Sequence, residues 1–434
     1  MEKTCGQLTC LGQAAVVSAL FAVIAVMGVA PAAQAQSFRV LHAFTGGGDD
    51  ATPSAGLTVD AAGRFYGVTS GDAIASNGSV FRLTPAGSGW ILSPLNVFHQ
   101  GGGGARPDSK AVIGPNGNLF GVTYLGGLGD CLGNGSCGVV YEMQAPSHAC
   151  GSSFCSWTQV VLHQFNALPD AGVPESSVIF DRAGNLYGTT AYGGTGICYN
   201  DIHLNYGCGT VYKLTPSNGG WTETILYSFQ GGSDGETPVG GLIFDAAGNL
   251  YGTTEGGGAY GYGTIFELSP SGGGWTESIV HTFAYSDGAD PYGNLIADAS
   301  GNLYGVTETG GADTSGVVFE LSHPGNWTFN LLYSFPYGSP PAGTLVFDGS
   351  GNLYGATVAG GAYGNGTAYK LTLSNGSWTA TDLHDFQTSD GTLPNGALVF
   401  DSAGNLYGTS AYGGIGFDGP CYGVGCGTVW EITP

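Results

Sequence analysis

Basic side chains are scarce in this chain: 9 Lys and Arg stand against 32 Asp and Glu in 434 residues, a formal charge of −23. Phosphate recognition needs clustered Lys and Arg, so nucleic acid is excluded as a partner. Anionic membrane surfaces are disfavoured on the same ground, while neutral ligands, cations and basic partners stay open. Long apolar runs are missing apart from Ala14 to Ala30, which is short for a span of ~20 residues. Lys3 precedes that run and Ala33-Gln34-Ala35, a small-x-small cleavage site, follows it, so residues 1–35 read as a secretory signal peptide. The chain also lacks a C-x-x-C pair, a Cys/His cluster of zinc spacing, a nucleophile elbow, a Ser/His/Asp order and a phosphate-cradling loop opening a helix. No loop alternates carboxylates toward a distal Glu as a calcium loop does. The expectation is therefore no metal and no cofactor, with Ca²⁺ left open but without a loop motif behind it.

What the chain has in excess is glycine, 81 residues, and it is periodic. A phrase of the form Gly-Asn-Leu-Tyr-Gly-Thr-Thr recurs seven times, with its aromatic at Tyr66, Phe120, Tyr187, Tyr251, Tyr304, Tyr354 and Tyr407. The intervals are 54, 67, 64, 53, 50 and 53 residues. A period near 50 built from several short strands is that of a propeller blade rather than of a helical solenoid. Repeat four shows the unit: strands over 241–245, 249–254, 263–269 and 275–283, bounded by Gly, Pro, Ser and Asp. Several are apolar on both faces, as a sheet stacked between two neighbours requires. The Asp ending the first strand recurs as Asp60, Asp181, Asp245, Asp298, Asp348 and Asp401, which suits capping of a tight hairpin better than a carboxylate ring. In the fourth strand, Trp90, Trp157, Trp221, Trp275, Trp327 and Trp378 each precede a Phe by eight residues.

That strand has no seventh copy at the C-terminal end. Ser37 to Phe44 matches it, and Gly427 to Thr433 matches a third strand. The chain is thus expected to be all-β, a seven-bladed propeller of four-stranded blades over 36–434, its last blade closed by the N-terminal strand. A closed ring leaves no obligate edge, so a monomer is expected.

The repeat P-x-x-G-L-x-F-D-x-x-G-N-L-Y-G-T-T, followed by G-T-x-[YF]-x-L-T-P, resembles the GloVer (Gloeo/Verruco) tandem repeat of exported bacterial proteins over essentially all of 37–434. Its first half is similar to NHL-type propeller repeats, and that resemblance implies that Leu242 to Asp245 and its equivalents line a central channel. GloVer proteins often carry C-terminal envelope anchors, whereas Pro434 ends the blade pattern. Release outside the cell or into the periplasm is the expectation. The resemblance implies no activity.

Function must lie where the repeats differ. Eight cysteines follow residue 35, in the couples Cys131/Cys137, Cys150/Cys155, Cys198/Cys208 and Cys421/Cys426. An even number in an exported chain points to disulfides, and closeness favours local pairing. Three couples fall in the loop between second and third strands of blades two, three and seven, so one sector of one rim is enlarged. Its polar and aromatic residues are Asp130, Tyr199, Asn200, Asp201, His203, Tyr206, Asp418 and Tyr422. Tyr with Asp and Asn suits neutral polyols and sugars, although loops without a core of their own also carry disulfides for structural reasons.

Two further candidates are Glu255 and Glu308, in equivalent slots of adjacent blades where other copies carry Ala191, Val358 or Ala411. They would be an acid/base or metal pair near the channel mouth, or else solvated rim glutamates. Recurrent acidic loops (Asp49, Asp50, Asp170, Asp234, Asp287, Asp390) read as turn chemistry. His42, His163, His281 and His384 share a slot with Tyr227 and Tyr333 and read as aromatic replacements, not bases. The leading expectation is an extracellular recognition module for a neutral or cationic ligand, polysaccharide among the candidates, rather than an enzyme. The alternatives are a glycan hydrolase or lyase, a metal-assisted lactonase-like hydrolase, and a structural envelope protein.

Overall fold

The computed structural model describes residues 36–71, 77–99, 101–129, 131, 136–146, 157–166, 168–199, 205–323, 325–415, 421 and 423–433. Seven antiparallel four-stranded sheets follow one another in sequence, with no α-helix among the described residues. Blade four is representative. Its strands are Ile243–Phe244, Leu250–Thr254, Thr264–Ser271 and Gly274–Thr282, hydrogen-bonded in that order. The first strand is shorter than its sequence pattern suggests, since it faces the axis on one side and keeps only the two rungs Ile243↔Tyr251 and Phe244↔Leu250. Among the described residues, no helix is long and apolar enough to cross a membrane.

The seventh blade closes as expected. Ser37–Ala43 pairs with Thr428–Thr433 from Ser37↔Thr433 to Ala43↔Thr428, so the two ends of the ring share one sheet. Closure removes two raw sheet edges that would otherwise invite pairing with other chains.

One apolar cluster fills each of the seven seams. Between blades four and five, Tyr251, Ile265 and Phe283 pack on Leu295, Leu303, Phe319 and Leu321. Between blades seven and one, Phe44, Tyr407 and Val429 meet Leu57, Phe65, Phe81 and Leu83. The Phe that follows each Trp by eight residues is buried in all six copies, from Phe98 to Phe386. Burying such a ring is worth roughly 1.5–3 kcal/mol.

The glycine in the Tyr-Gly-Thr phrase is steric in origin. A Cβ at Gly252 would lie 2.6 Å from Cζ of Phe266, which crosses it from the third strand. A bulge at Ile265/Phe266, repeated at Val211/Tyr212, Val318/Phe319 and three further blades, turns that aromatic inward. The hairpin aspartates do cap their turns. Asp181 Oδ1 accepts from the amides of Ala183 and Asn185, and its Oδ2 accepts from Asn185 Nδ2 and the Tyr187 hydroxyl.

Candidate functional site at the channel mouth

All seven blades contribute to a cavity of about 1440 Å³ on the axis, with Ile296, Val346 and Val399 among its lining. Its mouth is built on a repeated backbone device. Thr52, Arg106, Val173, Thr237, Asp290 and Leu393 each precede a proline and adopt φ between 51° and 63°, the left-handed region. For β-branched Thr and Val this conformation costs on the order of 1–3 kcal/mol, and surrounding bonds must hold it. They do. Each of these amides donates to a carbonyl of the preceding blade: Thr52 to Cys426, Arg106 to Asn77, Val173 to Cys137, Thr237 to Cys208, Asp290 to Tyr262 and Leu393 to Asn365. The Thr237 carbonyl in turn accepts from the amide of Glu255 at 2.9 Å.

This anchoring aims the residue after each proline into the cavity. Around the ring the slot reads Ser54, Asp108, Glu175, Val239, Tyr292, Ala342 and Asn395, and all but Ala342 line the cavity. The scaffold repeats; this ring does not.

Its electrostatics follow from carboxylates crowded where water is thinned. Burial pushes Glu175 up to about 7, helped by the charges of Glu255 and Asp108 and opposed by Arg106. Asp108 rises to about 6 through burial, despite the Arg106 guanidinium 2.7 Å away. Glu255 is raised by burial, then by Asp290 and Glu308; Glu308 by burial, then by Asp290. Burial and then Glu175, Asp108, Glu308 and Glu255 push Tyr292 up to about 12. Lys110 also lines the cavity and burial lowers it. Arg106 covers the Tyr124 ring at 4.7 Å. At neutral pH such a set offers both a carboxylic O–H donor and carboxylate acceptors within one cavity.

Glu255 and Glu308 therefore share one electrostatic cluster, with Glu175 and Asp290 as members that sequence spacing did not single out. The signal for Glu175, Asp108 and Tyr292 was present: the slot after the repeated proline carries a different residue in each blade.

Of the rim residues, Tyr199 is 65% exposed and Tyr206 packs on Tyr192 with ring centroids 5.5 Å apart. Tyr192 is raised by burial and then by Glu175 and Glu255, so Tyr206 connects the rim to the mouth. Asp130, Asn200, Asp201, His203, Asp418 and Tyr422 lie outside the described residues. Disulfides join Cys131 to Cys137, Cys198 to Cys208 and Cys421 to Cys426, with Cα separations of 5.0, 5.1 and 5.3 Å. Cys150 and Cys155 lie outside the described residues. Cys137, Cys208 and Cys426 are the half-cystines whose carbonyls hold Val173, Thr237 and Thr52, so each stapled loop is fastened to the mouth. Cys198, Cys208 and Glu236 lie close together, but the oxidised sulfurs offer no thiolate to a metal.

Three histidines of the outer strand meet a loop carboxylate: His42 with Asp49 at 3.0 Å, His281 with Asp287 at 3.2 Å and His384 with Asp390 at 3.2 Å. The same aspartates accept from the amides of Thr45, Ala284 and Gln387. They act as loop caps tied to the strand, away from the mouth.

The profile of the Gloeobacter/Verrucomicrobia repeat matches residues 29–201 and 160–346, well over half of the chain. The chain belongs to this family. No match was found among curated proteins. Among solved structures, the chain is similar to the extracellular domain of a protein described as a hybrid two-component system of B. thetaiotaomicron, at 14% identity and TM-score 0.54, covering 90% of this chain and 39% of that one. It is also similar to an ulvan lyase of polysaccharide lyase family PL25 bound to -[GlcA(1-4)Rha3S]-, at 12% identity and TM-score 0.50, covering 87% and 90%. At these identities the likeness is one of fold. Within this Gloeobacter/Verrucomicrobia repeat chain, the hairpin aspartates cap turns and the Phe of the Trp/Phe ruler is buried in the seams, so both are scaffold, whereas the slot after the repeated proline varies.

Proposed function

We propose that this protein is an exported recognition module that takes a hydroxyl-rich ligand, a carbohydrate, into the mouth of its channel. In this reading residues 1–35 are removed on export and 36–434 form one ring domain that works as a monomer outside the cytoplasm. The observation that carries it is the mouth itself: repeats of one scaffold present six different residues there, including a protonatable Glu175, a Tyr and an Asn. Sugars are recognised by such a mixture, with hydroxyls bridging donors and acceptors and an aromatic face covering the ring. In this reading Tyr206, packed on Tyr192, and the exposed Tyr199 add aromatic faces for the ligand.

A second reading is favoured by one observation. Glu175, held near 7 beside carboxylates, has the protonation behaviour of a general acid, with Glu255 and Glu308 as candidate partners. One experiment separates the two. Mature protein is sedimented with insoluble polysaccharides while released soluble sugar is scored. Retention without release, weakened by Tyr292→Ala, supports recognition. Release that Glu175→Gln abolishes moves the assignment to a glycan-cleaving enzyme. Neither signal on any polymer removes carbohydrate as the ligand.

A further inference from the structure

The outer side of each blade seam brings two side chains together at equivalent positions, and their chemistry differs from seam to seam. The fourth strand presents a side chain two residues before its buried Phe; the next blade presents one two residues after its Trp. At two seams these stack, His281 on Phe329 with centroids 4.1 Å apart and His384 on Phe38 at 3.6 Å. Between blades two and three, the pair is His163 and Glu223, and the loop carboxylate Asp170 joins them.

We infer that His163, Asp170 and Glu223 form a site for a first-row divalent cation of the Zn²⁺ type, clipping blade two to blade three. One imidazole nitrogen and two carboxylate oxygens all lie within 4.8 Å of one another. His163 Nε2 and Glu223 Oε2 are 3.3 Å apart. Two ligands bound at about 2.0–2.1 Å to a tetrahedral zinc stand roughly 3.3 Å from each other. The side chains of His163 and Glu223 are 17% and 12% exposed, enough shelter to compete with bulk water and enough access for an ion. Neither buried His163 Nε2 nor buried Glu223 Oε1 has a hydrogen-bond partner among the described residues. None of the Lys or Arg ion pairs there reaches Asp170 or Glu223. Two carboxylates converge there on one imidazole with no Lys or Arg beside them, a set that a divalent cation neutralises, and one nitrogen with two oxygens suits zinc or manganese.

The neighbouring seams act as internal controls. Between blades three and four, Tyr227 replaces the imidazole and its hydroxyl donates to Asp234 at 2.7 Å, so Glu277 there has no nitrogen ligand beside it. At the His281 seam, Phe329 stands where Glu223 would.

The test uses untagged protein stripped with EDTA and titrated with ZnCl₂ in excess Ca²⁺ and Mg²⁺, which saturate weak carboxylate sites. Calorimetry should show one saturable equivalent per chain, and the thermal midpoint should rise by about 3 °C or more. Glu223→Gln and His163→Phe should each weaken binding about tenfold or more and remove the midpoint rise, while their midpoints in EDTA stay close to that of the parent. His281→Phe should retain both responses. Absence of saturable zinc binding, or binding and stabilisation that survive both substitutions, overturns the assignment. Should His163→Phe fold poorly, the near-isosteric Glu223→Gln alone decides.

Discussion

Phe38 of the N-terminal strand stacks on His384 of blade six, with ring centroids 3.6 Å apart and planes 3° from parallel. The two residues are separated by almost the whole chain, and their contact adds to the strand pairing of Ser37–Ala43 with Thr428–Thr433. Phe38 also packs against Phe386 and Trp430, so the first strand seals the seam between blades six and seven.

Removal of residues 37–44 should therefore unlock the ring as a whole. It strips one face of Trp430 and deletes the fully buried Phe44. Calorimetry should show a single transition shifted well down, or none at all, because each blade is stable only between two neighbours. A truncation melting with the parent contradicts closure by this strand.

Tyr212 and Tyr369 are fully enclosed over Gly188 and Gly355, and their hydroxyls have no hydrogen-bond partner among the described residues. Blades one, four and five carry Phe81, Phe266 and Phe319 in that slot. Tyr212→Phe should be neutral or stabilising by up to about 1 kcal/mol, since a buried unpaired hydroxyl is unfavourable. Tyr212→Ala should cost about 3–5 kcal/mol through the cavity it leaves. Denaturant titration of the two variants checks both signs.

The pH dependence of stability should have two limbs. Glu175 and Glu277 are pushed up to about 7, by burial first and then by neighbouring carboxylates, so the folded state holds protons that an unfolded glutamate near 4.3 releases. Their contribution is present at low pH and is lost as pH rises from about 4.3 to 7. His281, depressed by burial, acts in the opposite sense through the histidine range. For Asp60, Asp181, Asp298, Asp348 and Asp401, burial works upward, but hydrogen bonds from turn amides and side chains outweigh it and hold them below the ordinary value. Their stabilisation is present above ~3.9 and is lost as pH falls through the folded values. The thermal midpoint should rise on going from pH 8 toward 5 and fall below 4. Glu175→Gln combined with Glu277→Gln should reduce the upper limb, to which Asp108, Glu255 and Glu308 also contribute, and leave the lower one.

At the mouth, Tyr292→Ala removes an aromatic face that is 43% exposed to the cavity and holds no core position. Ligand affinity should fall about tenfold, equivalent to about 1.4 kcal/mol, with the thermal midpoint little changed. A loss of affinity matched by a loss of fold would mean that Tyr292 is scaffold.

Much of the ring was legible from the chain. Seven copies of one phrase, the orphan fourth strand at Ser37 to Phe44 and the truncated pattern at Gly427 to Thr433 specified blade number and closure. The hairpin aspartates were equally readable, because a short acceptor before a tight turn has a local partner. Glu255 and Glu308 could be seen as a departure from the repeat, since other copies carry Ala191, Val358 or Ala411 in their slot. Glu175, Asp108 and Tyr292 passed unnoticed: the proline before each marks a turn, and nothing local says that the next side chain points to the axis.

The sequence by itself determined what depends on neighbours along the chain: strand and turn identity, the glycines that clear the crossing aromatics, and the cysteine couples that pair within their own loops. Tertiary structure alone decided which non-repeated residues converge. Closing the ring brings residues from different blades to one axis, and it sets His163 and Glu223 across a seam at 3.3 Å although they are 60 positions apart. The physical reason is that local propensity acts over a few residues, whereas burial, carboxylate proximity and proton affinity depend on distances that exist only after the seven blades close.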